Sequence, residues 1–296
     1  MRYQRTIKRE VTTKGIGLHL GIDAVLKLVP APEDTGVVFV RKDSELARMS
    51  AFVNAVSDTR LSTNLTYNTV EARTVEHLLA TLSGLGIDNV FIELDGPEVP
   101  ILDGSALEYV AMITRAGIEK QSRRVSCVRI TKPISVSERH SHITIFPYEG
   151  RKITCSIDYD HPLIKHQTMS IDITEENFVR EIASAKTYGF LREVEFLRAH
   201  GLARGGTLYN SIVLDEEGII NKNIVTFKDE FVRHKILDIV GDSSLLGMPI
   251  YGHIVAHRAG HSINIKFLNE ILNNLDSWEI LTEKAPLSYQ NSLVSV

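Results

Sequence analysis

The feature that most limits how this chain can fold is a loose internal duplication. Each half opens with strand-rich sequence ending near proline, AVLKLVPAP at 24–32 and SHITIFPYEG at 141–150. Each half later carries an amphipathic helix followed by a strand. In the first half these are TVEHLLATLSGLG (74–86) and NVFIEL (89–94), and in the second FVRHKILDIVGD (231–242) and YGHIVAH (251–257). A pattern that switches from period 2 to period 3.6 and back, twice, predicts an α+β protein of two related domains. Each domain is a β-sheet packed on helices in a two-layer sandwich, and an active site drawing residues from both copies would lie between them.

The polar run Glu119-Lys120-Gln121-Ser122-Arg123-Arg124 falls between a predicted helix (105–117) and a predicted strand (125–130). It sets the expected division: a first domain at 1–120, a linker at 121–126 and a second domain at 127–296. Residues 183–212 have no counterpart in the first half and read as an insertion. Phe190, Leu191, Val194, Phe196 and Leu197 give it apolar character, and packing against its own domain is the plainest expectation.

His77 and His234 occupy equivalent places on the two helices, after Val-Glu and Val-Arg. On the second helix Phe231, Val232, Ile236, Ile239 and Val240 form an apolar stripe, while His234 and Asp238, at i and i+4, point together along another arc with Asp242. Such a pair can share a metal ion, although a solvated helix face with an incidental His–Asp pair is the commoner origin of this spacing. On the first helix Val75, Leu78, Leu79 and Leu82 face the core. His77 then points away, and Glu76 is an acidic residue in the first turn, where the helix dipole favours it.

Three N/O donors, His77, His234 and Asp238, suit a catalytic rather than a structural zinc site, with Glu76 beside them. His261 lies at the turn before a helix predicted to start at Ser262, a common place for functional groups. The remaining histidines read as surface, loop or structural residues.

The net charge of −4, with Lys and Arg spread along the chain, excludes a nucleic-acid footprint. No apolar run approaches the ~18–20 residues that span a bilayer, and no secretory leader is evident, so a cytoplasmic protein is expected. Cys127 and Cys155 read as buried reduced thiols.

Six ordered blocks carry a resemblance: GIGLHLG (15–21), TVEHLLATLSGLGIDN (74–89), PILDGSA (100–106), AKTYGF (185–190), FVRHKILDIVGD (231–242) and GHSINIK (260–266). Collinear to about Leu275, they resemble the UDP-3-O-acyl-N-acetylglucosamine deacetylases of the lipid A pathway. The resemblance implies one zinc ion held by His77, His234 and Asp238, with Glu76 as general base. It implies His261 as partner acid or cationic stabiliser oriented by Asp242, and Thr187 facing the reacting carbonyl. Lys235 and Arg258 would lie near the substrate, a UDP-acyl-N-acetylglucosamine. Phe190, Leu191, Val194 and Leu197 of the insertion would line an acyl-chain passage in a monomeric enzyme.

Departures from the family pattern are Tyr188 after Thr187 and a cysteine-free Ala203-Arg204-Gly205-Gly206. His19 lies in a matching block with no chemical role assigned. Two competing readings are a zinc amidase acting on another nucleotide sugar and a sugar-nucleotide-binding module without catalysis. The apolar insertion argues against the first, and the complete set of Glu76 and three metal donors against the second.

Overall fold

A computed structural model describes residues 2–41 and 47–282. The first half is built on a five-stranded sheet in the order Val11–Ile16, Asp23–Pro30, Val90–Leu94, Val37–Arg41, Arg48–Ser50. Period-2 alternation sets its faces: Ala24, Leu26 and Leu28 are buried, while Asp23 and Val25 are exposed. The second half is built on a seven-stranded sheet in which Ile250–His257 pairs with Cys127–Ile130, Ser141–Phe146 and Arg151–Asp158.

The strand that follows the helix of each half, Val90–Leu94 or Ile250–His257, thus lies inside its sheet with partners on both edges. Mixed sheets and packed helices in two related halves make this an α+β fold, as the duplication predicts.

The halves meet through their helices, Glu76–Leu85 packing directly on Glu230–Ser243. Gly241 sets the approach. A Cβ there would lie 2.2 Å from the carbonyl oxygen of Glu76 and 2.9 Å from its carbonyl carbon, so only glycine lets the two backbones touch. Helix Leu107–Ala116 packs beside strand Val11–Ile16, and helix His261–Asn273 covers Ile134–Glu138 and Ser141–Phe146. No helix among the described residues is long and apolar enough to cross a membrane. Cys127 and Cys155 are buried free thiols.

Several expectations need correction. Residues 121–124 of the expected linker are strand: Ile118–Arg124 pairs antiparallel with Tyr3–Ile7. The charged run tolerates this because the Lys120 ammonium and the Arg124 guanidinium each lie 3.9 Å from the centroid of the Tyr3 ring. The following strand starts at Cys127 rather than Val125. The insertion does not pack only on its own domain. Its backbone bonds the first half, with Gly205 N donating to Leu18 O at 3.0 Å, Arg204 N to His19 O at 3.1 Å and Thr187 N to Gly104 O at 2.8 Å.

Candidate active site

Helix Glu76–Leu85 is not amphipathic in its surroundings, since every residue but Ser83 is buried. The face that carries His77 is polar in sequence yet covered by the other half. Glu76, His77, His234 and Asp238 are all at most 4% exposed.

The i, i+4 spacing places Asp238 Oδ1 3.5 Å from His234 Nε2, and helix contact brings His77 Nε2 to 4.0 Å from the same oxygen. The two imidazole rings cross at 82° with centroids 5.0 Å apart. His234 Nδ1 lies 3.1 Å from the carbonyl of Ala185, which can only accept, so Nδ1 carries the proton and Nε2 a lone pair. That lone pair faces a carboxylate oxygen with no proton between them. Asp238 Oδ1 and His77 Nδ1 are both buried without a hydrogen-bond partner among the described residues.

Acceptor facing acceptor in a buried place is costly unless a cation lies between them. One donor atom from each of His77, His234 and Asp238 lies within 4.8 Å of the others, the one such group among the described residues. Burial, then the neighbouring His234, pushes the His77 imidazole down to about 3, so it is neutral and able to bind metal. Burial likewise lowers His234. Burial works against the Asp238 carboxylate, but Lys235, bonded to Oδ2 at 2.8 Å, and the charge of His261 hold its proton affinity below the usual range.

A second pair adjoins this trio. Burial raises Glu76 to about 7; the charge of His261 opposes the shift, while Asp242 and Asp238 add to it. Burial disfavours charge on His261 as well. There the Asp242 charge, the 2.8 Å bond from Nδ1 to Asp242 Oδ2, and the charges of Glu76 and Asp238 prevail and raise it to about 9. With Nδ1 engaged, the other ring N–H of His261 lies 3.9 Å from Glu76 Oε1. A proton acceptor poised near neutrality therefore sits beside a proton donor that is charged at neutral pH.

These groups line a cavity of about 810 Å³. Glu76, His77, His234, Asp238, Lys235, His261, Thr187 and Arg258 all reach it, and Phe190, Leu191, Val194 and Leu197 form an apolar wall. Asp242 does not line the cavity; it is fully buried behind His261. The helix holding His261 starts at that residue, one earlier than predicted, with Gly260 as its extended N-cap.

Three groups escaped the sequence reading. Thr63 and Asn264 both donate to Asp242, and Tyr159, half-buried in the cavity wall, shares a 3.0 Å hydroxyl contact with Tyr188. Nothing local in the loop holding Thr63 marks it; its role follows only from contacts across the halves. His19 also lines the cavity, in a loop tied down by Glu98, which accepts from His19 N at 2.8 Å and Leu20 N at 2.7 Å.

Comparison with known proteins shows the family. The family model described as UDP-3-O-acyl N-acetylglycosamine deacetylase matches residues 4–273. A UDP-3-O-acyl-N-acetylglucosamine deacetylase of Thermodesulfovibrio yellowstonii is 49% identical over 272 residues, 92% of each chain. Proteins of the same name from Acidithiobacillus ferrooxidans and Pseudomonas entomophila are 44% and 42% identical, over 99% of this chain and 98% and 99% of theirs. The chain belongs to the UDP-3-O-acyl-N-acetylglucosamine deacetylase family.

Proposed function

We propose that this protein hydrolyses the N-acetyl group of a UDP-3-O-acyl-N-acetylglucosamine, releasing acetate and the UDP-3-O-acyl-glucosamine, as a zinc-dependent step of lipid A biosynthesis. The observation that carries the reading is the buried meeting of three lone-pair donors with a Glu76–His261 pair, in a cavity also lined by apolar residues.

His77, His234 and Asp238 fit a single zinc ion by donor type, number and neutral or anionic state, and Asp238 Oδ1 has no other partner among the described residues. When bound, zinc supplies a Lewis acid for the acetyl carbonyl and makes water a stronger nucleophile at neutral pH. Ala185 and Lys235 orient the donors, through His234 Nδ1 and Asp238 Oδ2.

Glu76, ionised above about pH 7, takes the proton of the attacking water. His261, charged below about pH 9, faces the developing oxyanion together with the Thr187 hydroxyl. The leaving amine takes its proton from this Glu76–His261 pair, and Asp242 keeps the His261 ring in place. Arg258 offers positive charge for the diphosphate, and Lys235, bonded to Asp238, offers it to the diphosphate or the reacting group. The wall of Phe190, Leu191, Val194 and Leu197 accepts the acyl chain and favours a substrate more apolar than a bare nucleotide sugar. A cytoplasmic monomer fits this role.

The test measures acetate release from the acylated UDP-sugar before chelation, after chelation and after zinc is restored. Activity that survives complete removal of metal refutes the zinc assignment. Equal activity on the unacylated sugar refutes the substrate assignment.

A further inference from the structure

Thr63 lies in the loop between strands Val56–Asp58 and Asn64–Tyr67 of the first half and is fully buried. All of its polar atoms are engaged with the site. Its backbone N–H donates to Glu76 Oε2 at 3.0 Å, and its carbonyl accepts from Val75 N at 3.1 Å, at the start of the helix that carries Glu76 and His77. Its hydroxyl donates to Asp242 Oδ1 at 2.6 Å and lies 3.2 Å from His261 Nδ1. One residue of the first half thus bonds the proposed general base and, across the boundary between the halves, the carboxylate that orients the proposed acid.

We infer that Thr63 is a positioning residue that holds Glu76 and the His261–Asp242 pair in register. The hydroxyl has a single proton, and Asp242 takes it. Asp242 Oδ2 receives His261 Nδ1 and Asn264 Nδ2, each at 2.8 Å, so the Thr63 hydroxyl is the donor that fixes Oδ1 and with it the plane of the carboxylate. A carboxylate free to turn about its Oδ2 contacts would let the His261 ring swing. A proton donor must stay within a few tenths of an ångström of its productive place to act on the amide. Two contacts from one residue also fix the spacing of base and acid, which belong to different halves.

The inference rests on the amide-hydrolysis reading only for its kinetic test. That test uses the full-length zinc-loaded protein with Thr63→Val, which keeps the shape but loses the hydroxyl, and Thr63→Ser, which keeps the hydroxyl. Thr63→Val should lower kcat by about ten- to a hundredfold, the worth of a hydrogen bond to a charged group, with KM within about twofold. Thr63→Ser should recover most of the loss, and zinc content should match the parent in both. In a His261→Gln background the further loss from Thr63→Val should shrink to less than about threefold, because the group it positions is gone.

A substrate-free readout accompanies these rates: the imidazole Nδ1–H resonance of His261, held against Asp242, should be sharp and downfield in the parent and in Thr63→Ser, and broadened or lost in Thr63→Val. If the parent releases no acetate while this resonance behaves as stated, the functional reading fails and the positioning role stands. An unchanged resonance and unchanged kcat in Thr63→Val would overturn the inference, as would full multiplication of the two losses in the double variant. Should Thr63→Val fail to fold, a Thr63→Ser variant with kcat as low as that of His261→Gln would overturn it too.

Discussion

Replacing Glu76 by glutamine removes a buried carboxylate whose proton affinity burial has raised from 4.5 to about 7. A group whose folded value lies above its unfolded one stabilises the fold only while protonated. That contribution is whole below pH 4.5 and is lost as the pH rises through 7, so at pH 8 the ionised carboxylate costs the metal-free fold on the order of 3 kcal/mol. Glutamine has nearly the same shape, and its carbonyl can still accept the Thr63 N–H, so the main change is loss of the charge. Metal-free Glu76→Gln should therefore be more stable than the metal-free parent by an amount that grows with pH, from under about 1 kcal/mol at pH 5 to roughly 3 kcal/mol at pH 8. The assay is urea unfolding of both chelated proteins at several pH values, with matched slopes as the check for two-state behaviour. A stability difference that stays flat from pH 5 to pH 8, or that falls, would refute the claim that Glu76 is held in its place at an electrostatic cost.

The remaining predictions address the metal, the proton pair, the passage and the helix contact. His77→Ala, His234→Ala and Asp238→Ala should each bind zinc at least about 100-fold more weakly, beyond what loss of an orienting partner costs, while Glu76→Gln keeps its metal and loses turnover; metal analysis separates the two classes. The pH profile of kcat/KM should be a bell whose acidic limb reports Glu76 at or below about 7 and whose basic limb reports His261 at or below about 9, since a nearby dication favours the carboxylate and disfavours the imidazolium. His261→Gln should remove or displace the basic limb. Each methylene of the acyl chain buried against the wall should raise kcat/KM about fourfold, from ~0.8 kcal/mol per methylene, and Leu191→Ala or Val194→Ala should flatten that dependence without changing zinc content, as a chain-length series of substrates will show. Gly241→Ala puts a methyl group 2.2 Å from Glu76 O, so it should destabilise the fold by about 1–3 kcal/mol and lower kcat as the helices are forced apart, read from unfolding midpoints and initial rates.

The duplicated order of strand, helix and strand was legible because it is local: alternation in 23–30 and the stripe of Phe231, Val232, Ile236 and Ile239 each follow from neighbours along the chain. The proposed metal donors were legible for a related reason, since His234 and Asp238 share a helix face and His77 repeats the place of His234. Burial of that polar face was not legible. Read one helix at a time, His77 points to solvent; only the touching backbones at Gly241 and Glu76 show that the second half is the environment of the first. The strand at Ile118–Arg124 was missed because its stabilising partner, Tyr3, lies more than a hundred residues away in sequence.

The two halves also differ in what they bring, and this bears on why the site lies between them. The first supplies Glu76, His77 and Thr63, and the second supplies His234, Asp238, Asp242 and His261, so neither half holds three metal donors or both members of the proton pair. Bringing so many ionisable groups into one buried place is unfavourable for each helix alone, as the raised Glu76 and an Asp238 Oδ1 without a hydrogen-bond partner among the described residues show. It is tolerated because the apolar stripes of both helices bury in one continuous core around it, Leu78, Leu79 and Leu82 from one side and Phe231, Ile236 and Val240 from the other. The packing that joins the halves is thus also what holds these groups away from water, and a substitution that loosens the Gly241 contact should weaken fold and site together.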